Sequence, residues 1–204
     1  MTNPFDPNLA GIWGDIGISP SDLGCVMLDL KFARPEAFEP LLREMEQDAY
    51  VAKDAERIPW VDGIEERLHV TVLYGLTIDP NNHGQAVETL LSHGGHLDSV
   101  QRHGLYINGP EAFESNIPGE DYSCIVLRIG GRELREMNQA LRLLPHIDTW
   151  PDYKAHATLG YVNKRTAGYW IERINQVLNT SSTLPPVSKL ELVDVNLGKE
   201  KPWL

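Results

Sequence analysis

Two short segments of the chain read alike: Arg67-Leu-His69-Val-Thr71-Val-Leu-Tyr74-Gly75 and Lys154-Ala-His156-Ala-Thr158-Leu-Gly-Tyr161. They stand close to half a chain length apart, and both lie in strand-like sequence. Side chains alternate along a strand, so positions i, i+2 and i+4 share one face. In the first copy that face carries Arg67, His69 and Thr71, with Leu68, Val70 and Val72 opposite. In the second it carries Lys154, His156 and Thr158, with Ala155, Ala157 and Leu159 opposite. Each strand therefore presents a cation, an imidazole and a hydroxyl on one side and an apolar layer on the other. Side by side, two such strands build a cleft with two histidines and four anion-binding groups.

That set suits phosphodiester cleavage without a metal. One imidazole accepts a proton from the attacking oxygen and the other donates one to the leaving oxygen. An unperturbed histidine titrates near pH 6.5, so one ring can be neutral while the other is charged around neutrality. Threonine hydroxyls and basic side chains can hold the non-bridging oxygens as charge rearranges. A single His-x-Thr in a strand ordinarily marks a half-exposed sheet residue. Two copies with matching flanks, dividing the chain almost evenly, point to chemistry. The residues alone do not say which histidine is acid and which is base.

Apolar periodicity switches repeatedly between two and about 3.6 along the chain, so strands and helices alternate. Strands are predicted at residues 25–30, 68–74, 105–107, 122–129, 153–162 and 187–197. Pro35 opens a helix whose Phe38, Leu41, Leu42, Met45 and Ala49 share one face. Further helices are predicted over residues 84–91, on the stripe Leu134, Met137, Leu141 and Leu144, and on the stripe Trp170, Ile171, Ile174, Val177 and Leu178. Residues 108–121 read as a turn-rich loop. Some neighbouring strands lack a helix between them, which favours α+β over a doubly wound sheet.

The paired His-x-Thr motifs, each followed by an aromatic residue (Tyr74, Tyr161), resemble those of the 2H phosphoesterase superfamily. That superfamily includes LigT-like 2′,3′-cyclic phosphodiesterases and the phage anti-CBASS enzymes that open cyclic oligonucleotide messengers, and the forms HVTVLYGL and HATLGYV are most similar to phage members. The resemblance implies one domain over residues 1–204, bilobal and α+β, with two pseudo-symmetric lobes, antiparallel sheets around a central cleft and helices outside. It places His69, Thr71, His156 and Thr158 at the catalytic positions and implies hydrolysis of cyclic nucleotides or oligonucleotides, with no cofactor and no metal. In a phage this would serve evasion of cyclic-oligonucleotide immune signalling, in the host cytoplasm. The alternatives are RNA end processing, meaning 2′,3′-cyclic phosphate opening or 2′–5′ ligation, and a non-catalytic nucleotide-binding module.

Arg67 and Lys154 are expected to bind substrate on the alternation argument, with Tyr74 and Tyr161 beside the motifs. Trp60, Trp150 and Trp203 are candidates for base stacking, which is worth about 1–3 kcal/mol per base. Trp203 leads among them because the polar run 198–202 precedes it. Trp170, within a helical stripe, reads as core. His83, His93, His96, His103 and His146 lack carboxylate or cysteine partners at ligand spacing and read as solvated loop residues.

Composition narrows the partners. The 204 residues are 42% hydrophobic and 23% charged, ordinary for a folded domain. Lys+Arg is 18 against 29 Asp+Glu, a net charge of -11. A chain this acidic repels a long polyanion, so a small substrate with few phosphates is expected rather than genomic DNA or long RNA. No apolar run approaches the roughly 18 residues that span a bilayer. The N-terminal MTNPFDPNLAGIWGD has neither a basic region nor a long apolar one, so no secretory signal is expected and the cytoplasm is the expected compartment. Cys25 and Cys124, both in apolar strand-like runs, read as buried free thiols.

Overall fold

The structure, a computed structural model, describes residues 23–53, 61–115, 117–148, 152–180 and 185–198. The fold is α+β. Six strands, β1 (Gly24–Phe32), β2 (His69–Leu76), β3 (Leu105–Glu114), β4 (Tyr122–Gly130), β5 (His156–Asn163) and β6 (Lys189–Gly198), pair antiparallel in the order β2-β1-β6-β3-β4-β5. Helices α1 (Pro35–Glu46), α2 (Gly84–Leu91), α3 (His96–His103), α4 (Arg132–Leu141) and α5 (Ala167–Asn179) cover one face. Each half contributes three antiparallel strands, and the six form one sheet. In the sheet the two three-stranded halves meet along a short seam, where Leu105 faces Leu190, Tyr106 faces Lys189, and Ile107 N donates to Ser188 O at 2.8 Å. Leu105 and Leu190 are almost wholly buried, so the short seam lies in the main core.

The chain order interlocks the halves. Helix α4 follows β4 but packs on β2, and α5 follows β5 and packs on β3 and β4. Their apolar faces explain this: Leu134, Met137 and Leu141 of α4, and Trp170 and Ile174 of α5, are buried beside Val70, Val72, Ile125 and Leu127 in one continuous core. Trp170 is core, as expected, and its indole Nε1 donates to Asp48 at 2.7 Å. Burial disfavours the Asp48 carboxylate, but hydrogen bonds from Thr166, Trp170 and Asn163 outweigh it and lower its pKa. Cys25 and Cys124 are both buried and outside any disulfide, and Cys25 Sγ donates to Gly198 O at 3.2 Å.

Two sequence expectations need correction. Residues 108–114 continue β3 instead of forming a loop, because Glu111, Ala112 and Phe113 pair with Val126, Ile125 and Cys124 across a bulge near Asn108. Gly109 and Pro110, which read as turn residues, are taken up at that irregularity. The His93-Gly-Gly-His96 segment is a short 3-10 turn, and His96 then starts α3. Gly94 and Gly95 supply the positive φ of the turn, and His96 Nε2 meets Glu136 on α4 at 2.8 Å.

Strands β2 and β5 are the outermost two in the pairing order, yet they lie against one another. The segment leading into β2 makes the connection. Ile64 bridges to Gly160, Tyr161 N donates to Gly63 O at 2.7 Å, and Glu65 N donates to Leu159 O at 2.9 Å. The chain thus lines the outer edge of β5 before it enters β2. Only glycine tolerates this approach at position 160, where a Cβ would stand 2.7 Å from the Gly63 carbonyl oxygen.

Candidate active site

A β-bulge follows the threonine in each motif. On β2, Thr71 faces Met27 and Leu73 faces Val26, so Val72 is the extra residue. On β5, Thr158 faces Val126 and Gly160 faces Ile125, so Leu159 is the extra residue. Each bulge reverses the alternation. His69, Thr71 and Tyr74 therefore share one face of the sheet, and His156, Thr158 and Tyr161 share the same face, away from the helices. Val70, Val72, Ala157 and Leu159 are buried in the main core, as the alternation predicts.

Both bulges leave a backbone carbonyl that needs a donor, and both find one. Val72 O accepts from Asn138 Nδ2 on α4 at 2.7 Å, and Leu159 O accepts from Glu65 N at 2.9 Å. Tyr153, just before β5, donates its hydroxyl to Thr71 O at 3.2 Å and ties the second motif's approach to the first motif's strand. Burial raises the Tyr153 phenol well above its ordinary pKa, so it stays a donor.

The two imidazoles are held in the same way. His69 Nδ1 lies 3.1 Å from Arg67 O, and His156 Nδ1 lies 2.8 Å from Lys154 O. A carbonyl only accepts, so Nδ1 carries the hydrogen in both rings and Nε2 is the nitrogen that exchanges a proton. The cross-strand neighbours differ in sign: His69 stands opposite Asp29 of β1, and His156 opposite Arg128 of β4. Phe113 meets the His156 ring edge-on, with centroids 5.5 Å apart. Burial lowers the His156 pKa first, and the charges of Arg128 and His69 lower it further, against the Lys154 carbonyl and Glu111. The two histidines are close enough to feel each other's charge.

Thr158 Oγ1 is 3.8 Å from Cys124 Sγ, whose thiol is pushed up to about 12 by burial and so stays protonated. Tyr74 is half-buried on the motif face. Tyr161 corrects an expectation: it is 1% exposed, packed edge-on against Tyr122 in a second apolar cluster with Tyr50, Val61, Ile117 and Cys124. Residues 61–65 and the Ile117 turn cover it, so its side chain is closed off from solvent. Arg67 precedes β2, is two-thirds exposed along its side chain and is ion-paired with Asp29. Lys154 is exposed just before β5. Trp203, with Trp60 and Trp150, lies outside the described residues.

Sequence reasoning missed Asp29, Glu111 and Arg128. The signal was present at two of them: a carboxylate inside Cys25-Val-Met-Leu-Asp-Leu30, and an arginine at the end of Tyr122-Ser-Cys-Ile-Val-Leu-Arg128, each breaking an apolar strand. Glu111 was hidden in a segment read as a loop. Among the described residues no group of three or more His, Cys, Asp or Glu stands close enough to hold a metal, and no helix is long and apolar enough to cross a membrane.

No protein-family model matches the chain, and no curated protein matches it. Among solved structures, Usb1 of Kluyveromyces marxianus is similar at 9% identity, covering 88% of this chain and 95% of that chain with a TM-score of 0.46. A structure of the same Usb1 with uridine monophosphate is similar at 9% identity, covering 89% and 99% with a TM-score of 0.44. Nothing about activity follows from a likeness of that degree.

Proposed function

We propose that this protein is a metal-independent phosphodiesterase of the 2H type, cleaving a ribonucleotide phosphodiester between His69 and His156. The observation that carries the reading is the repeated geometry: two imidazoles on adjoining strands, each with Nδ1 anchored to the carbonyl two residues back, each followed by a threonine on the same face. A binding module needs no second proton-transfer group. His156, kept neutral by burial and by Arg128, takes the proton of the nucleophile, a ribose 2′-OH or water, through Nε2. As the new P–O bond forms, the bond to the leaving oxygen breaks, and His69 delivers a proton to that oxygen. Thr71 and Thr158 donate hydrogen bonds to the non-bridging oxygens.

The charge of the site favours a substrate with few phosphates. Asp29, Glu111, Glu191 and Asp194 share the motif face with Lys31 by strand register, and Lys31, Arg67 and Arg128 are each tied to a carboxylate there. A cyclic mono- or oligonucleotide meets that condition, and opening a cyclic messenger, the phage counter-defence role of the enzymes that the motifs resemble, is the finer form of this reading. The second reading is an RNA terminus, which needs only its last diester seated between the imidazoles, with exposed Lys154 available to the preceding phosphate. Chromatographic turnover of cyclic mono-, di- and trinucleotides beside short RNAs ending in a 2′,3′-cyclic phosphate decides between them by kcat/KM. A clear preference for the RNA end makes the protein an end-processing enzyme. Turnover of none of these overturns the phosphodiesterase reading.

A further inference from the structure

We propose that Arg128 is a further catalytic residue: it grips the non-bridging oxygens of the reacting phosphate, and Glu111 is the counter-ion that holds it ready. This rests on the phosphodiesterase reading above and names the cation that serves it. Arg128 is paired directly across from His156 on β4 and β5, which puts their Cβ atoms about 4.5–5.5 Å apart. Its Nη1 meets Glu111 Oε2 at 3.0 Å, and Glu111 lies on the same face, since its β3 register partner is Val126. A guanidinium has five N–H donors in a planar fork, so one contact to Glu111 leaves donors for a phosphate.

The two side chains are 30% and 32% exposed, reachable from solvent yet shielded enough for charge to count. An ion pair at that depth adds little to stability after desolvation, so stability gives no strong reason for an arginine to interrupt an apolar strand here. The other cations fit less well, Lys31 because it is 62% exposed and paired with Glu191. Arg67 is 68% exposed and bound to Asp29, and Lys154 is exposed ahead of its strand. The position matching Arg128 in the other half of the sheet is held by Asp29, opposite His69. The site therefore has one cationic side, at the histidine that takes the proton. As the nucleophile adds, the phosphate gains negative charge, and Arg128 stabilises it more in the transition state than in the bound diester.

The groups facing His156 are Arg128 from β4, Glu111 and Phe113 from β3, His69 from β2 and its own Lys154 carbonyl. Removing the Arg128 charge should raise the imidazole pKa, and removing the Glu111 charge should lower it.

The test combines steady-state kinetics with imidazole NMR during titration of inorganic phosphate, in wild type, Arg128→Met, Arg128→Lys and Glu111→Gln. Arg128→Met should lower kcat about 10²–10³-fold with a much smaller change in KM, as loss of an oxyanion donor does. Arg128→Lys should recover part of the loss. Phosphate should bind Arg128→Met at least tenfold more weakly and Glu111→Gln several-fold more tightly, and the His156 titration should move in opposite directions in the two variants. Wild-type kcat in Arg128→Met, or phosphate binding indifferent to residue 128, overturns the assignment and leaves the phosphodiesterase reading standing. If wild type turns over no diester while phosphate binding still depends on Arg128, the anion site holds and the diesterase reading falls.

Discussion

Replacing Asn138 with leucine removes one hydrogen bond, and the place where it is lost makes the change informative. Asn138 is 5% exposed on the buried face of α4, and its Nδ2 donates at 2.7 Å to the carbonyl of Val72, the extra residue of the bulge after Thr71. Leucine is similar in size and apolar, so it fills the space but gives the carbonyl no donor. Leaving a buried acceptor unsatisfied costs about 1–3 kcal/mol. For a domain near 200 residues each kcal/mol is worth about 2–4 °C in Tm, so the variant should melt about 2–12 °C below wild type. Asn138→Asp should lose more, because a buried carboxylate facing a carbonyl repels it and brings an unpaired charge. The bulge adjoins Thr71 and sets Tyr74 on the motif face, so Asn138→Leu should lower kcat, by up to about 10²-fold if Thr71 moves by about 1 Å. Urea and thermal unfolding report the first effect, and turnover at a temperature where the variant is folded reports the second. A variant as stable and as active as wild type would refute the idea that this side chain holds the bulge.

Tyr161→Ala should behave as a core deletion, losing about 3–5 kcal/mol in urea unfolding, because Tyr161 is packed among Tyr122, Cys124 and Val61. A nearly neutral effect on stability with a rise in KM would restore it as a substrate contact. The lowered His156 pKa has a signed consequence for stability. The unfolded chain takes up a proton near pH 6.5 while the folded ring stays neutral, so this contribution is complete above about pH 6.5 and is lost as pH falls through the lower folded value. His156→Asn should flatten the urea midpoint against pH in that window, and an unchanged slope would contradict the burial that lowers the pKa.

How much was legible follows from which signals are local. The apolar stripe of α1 and the continuous apolar runs of β1 and β4 depend on neighbours a few residues away, and they were readable. So were the two His-x-Thr faces, since alternation over three residues does not reach the bulges. The bulges themselves were not readable: Val72 and Leu159 are ordinary strand residues, and what makes each one extra is its pairing with β1 or β4 and a donor from Asn138 or Glu65. Tyr161 was misjudged for that reason. Its nearness to the motif suggested substrate contact, whereas the cover that buries it comes from residues 61–65 and the Ile117 turn, distant in sequence. Strand β3 was cut short because Asn108, Gly109 and Pro110 carry turn chemistry, which the pairing with β4 overrides. Arg67 was on the expected strand approach, but its partner Asp29 is on another strand, and no spacing rule links them.

The most direct test of the two-imidazole mechanism is turnover of a ribonucleotide diester in excess EDTA by wild type, His69→Ala, His156→Ala and the double variant. Wild type should keep its full rate without metal, each single variant should lose about 10²–10⁴-fold in kcat, and the double variant should lose far less than the product of the two, since the rings act as one unit. Activity that EDTA abolishes and a divalent ion restores, or a single histidine variant that turns over like wild type, would contradict it.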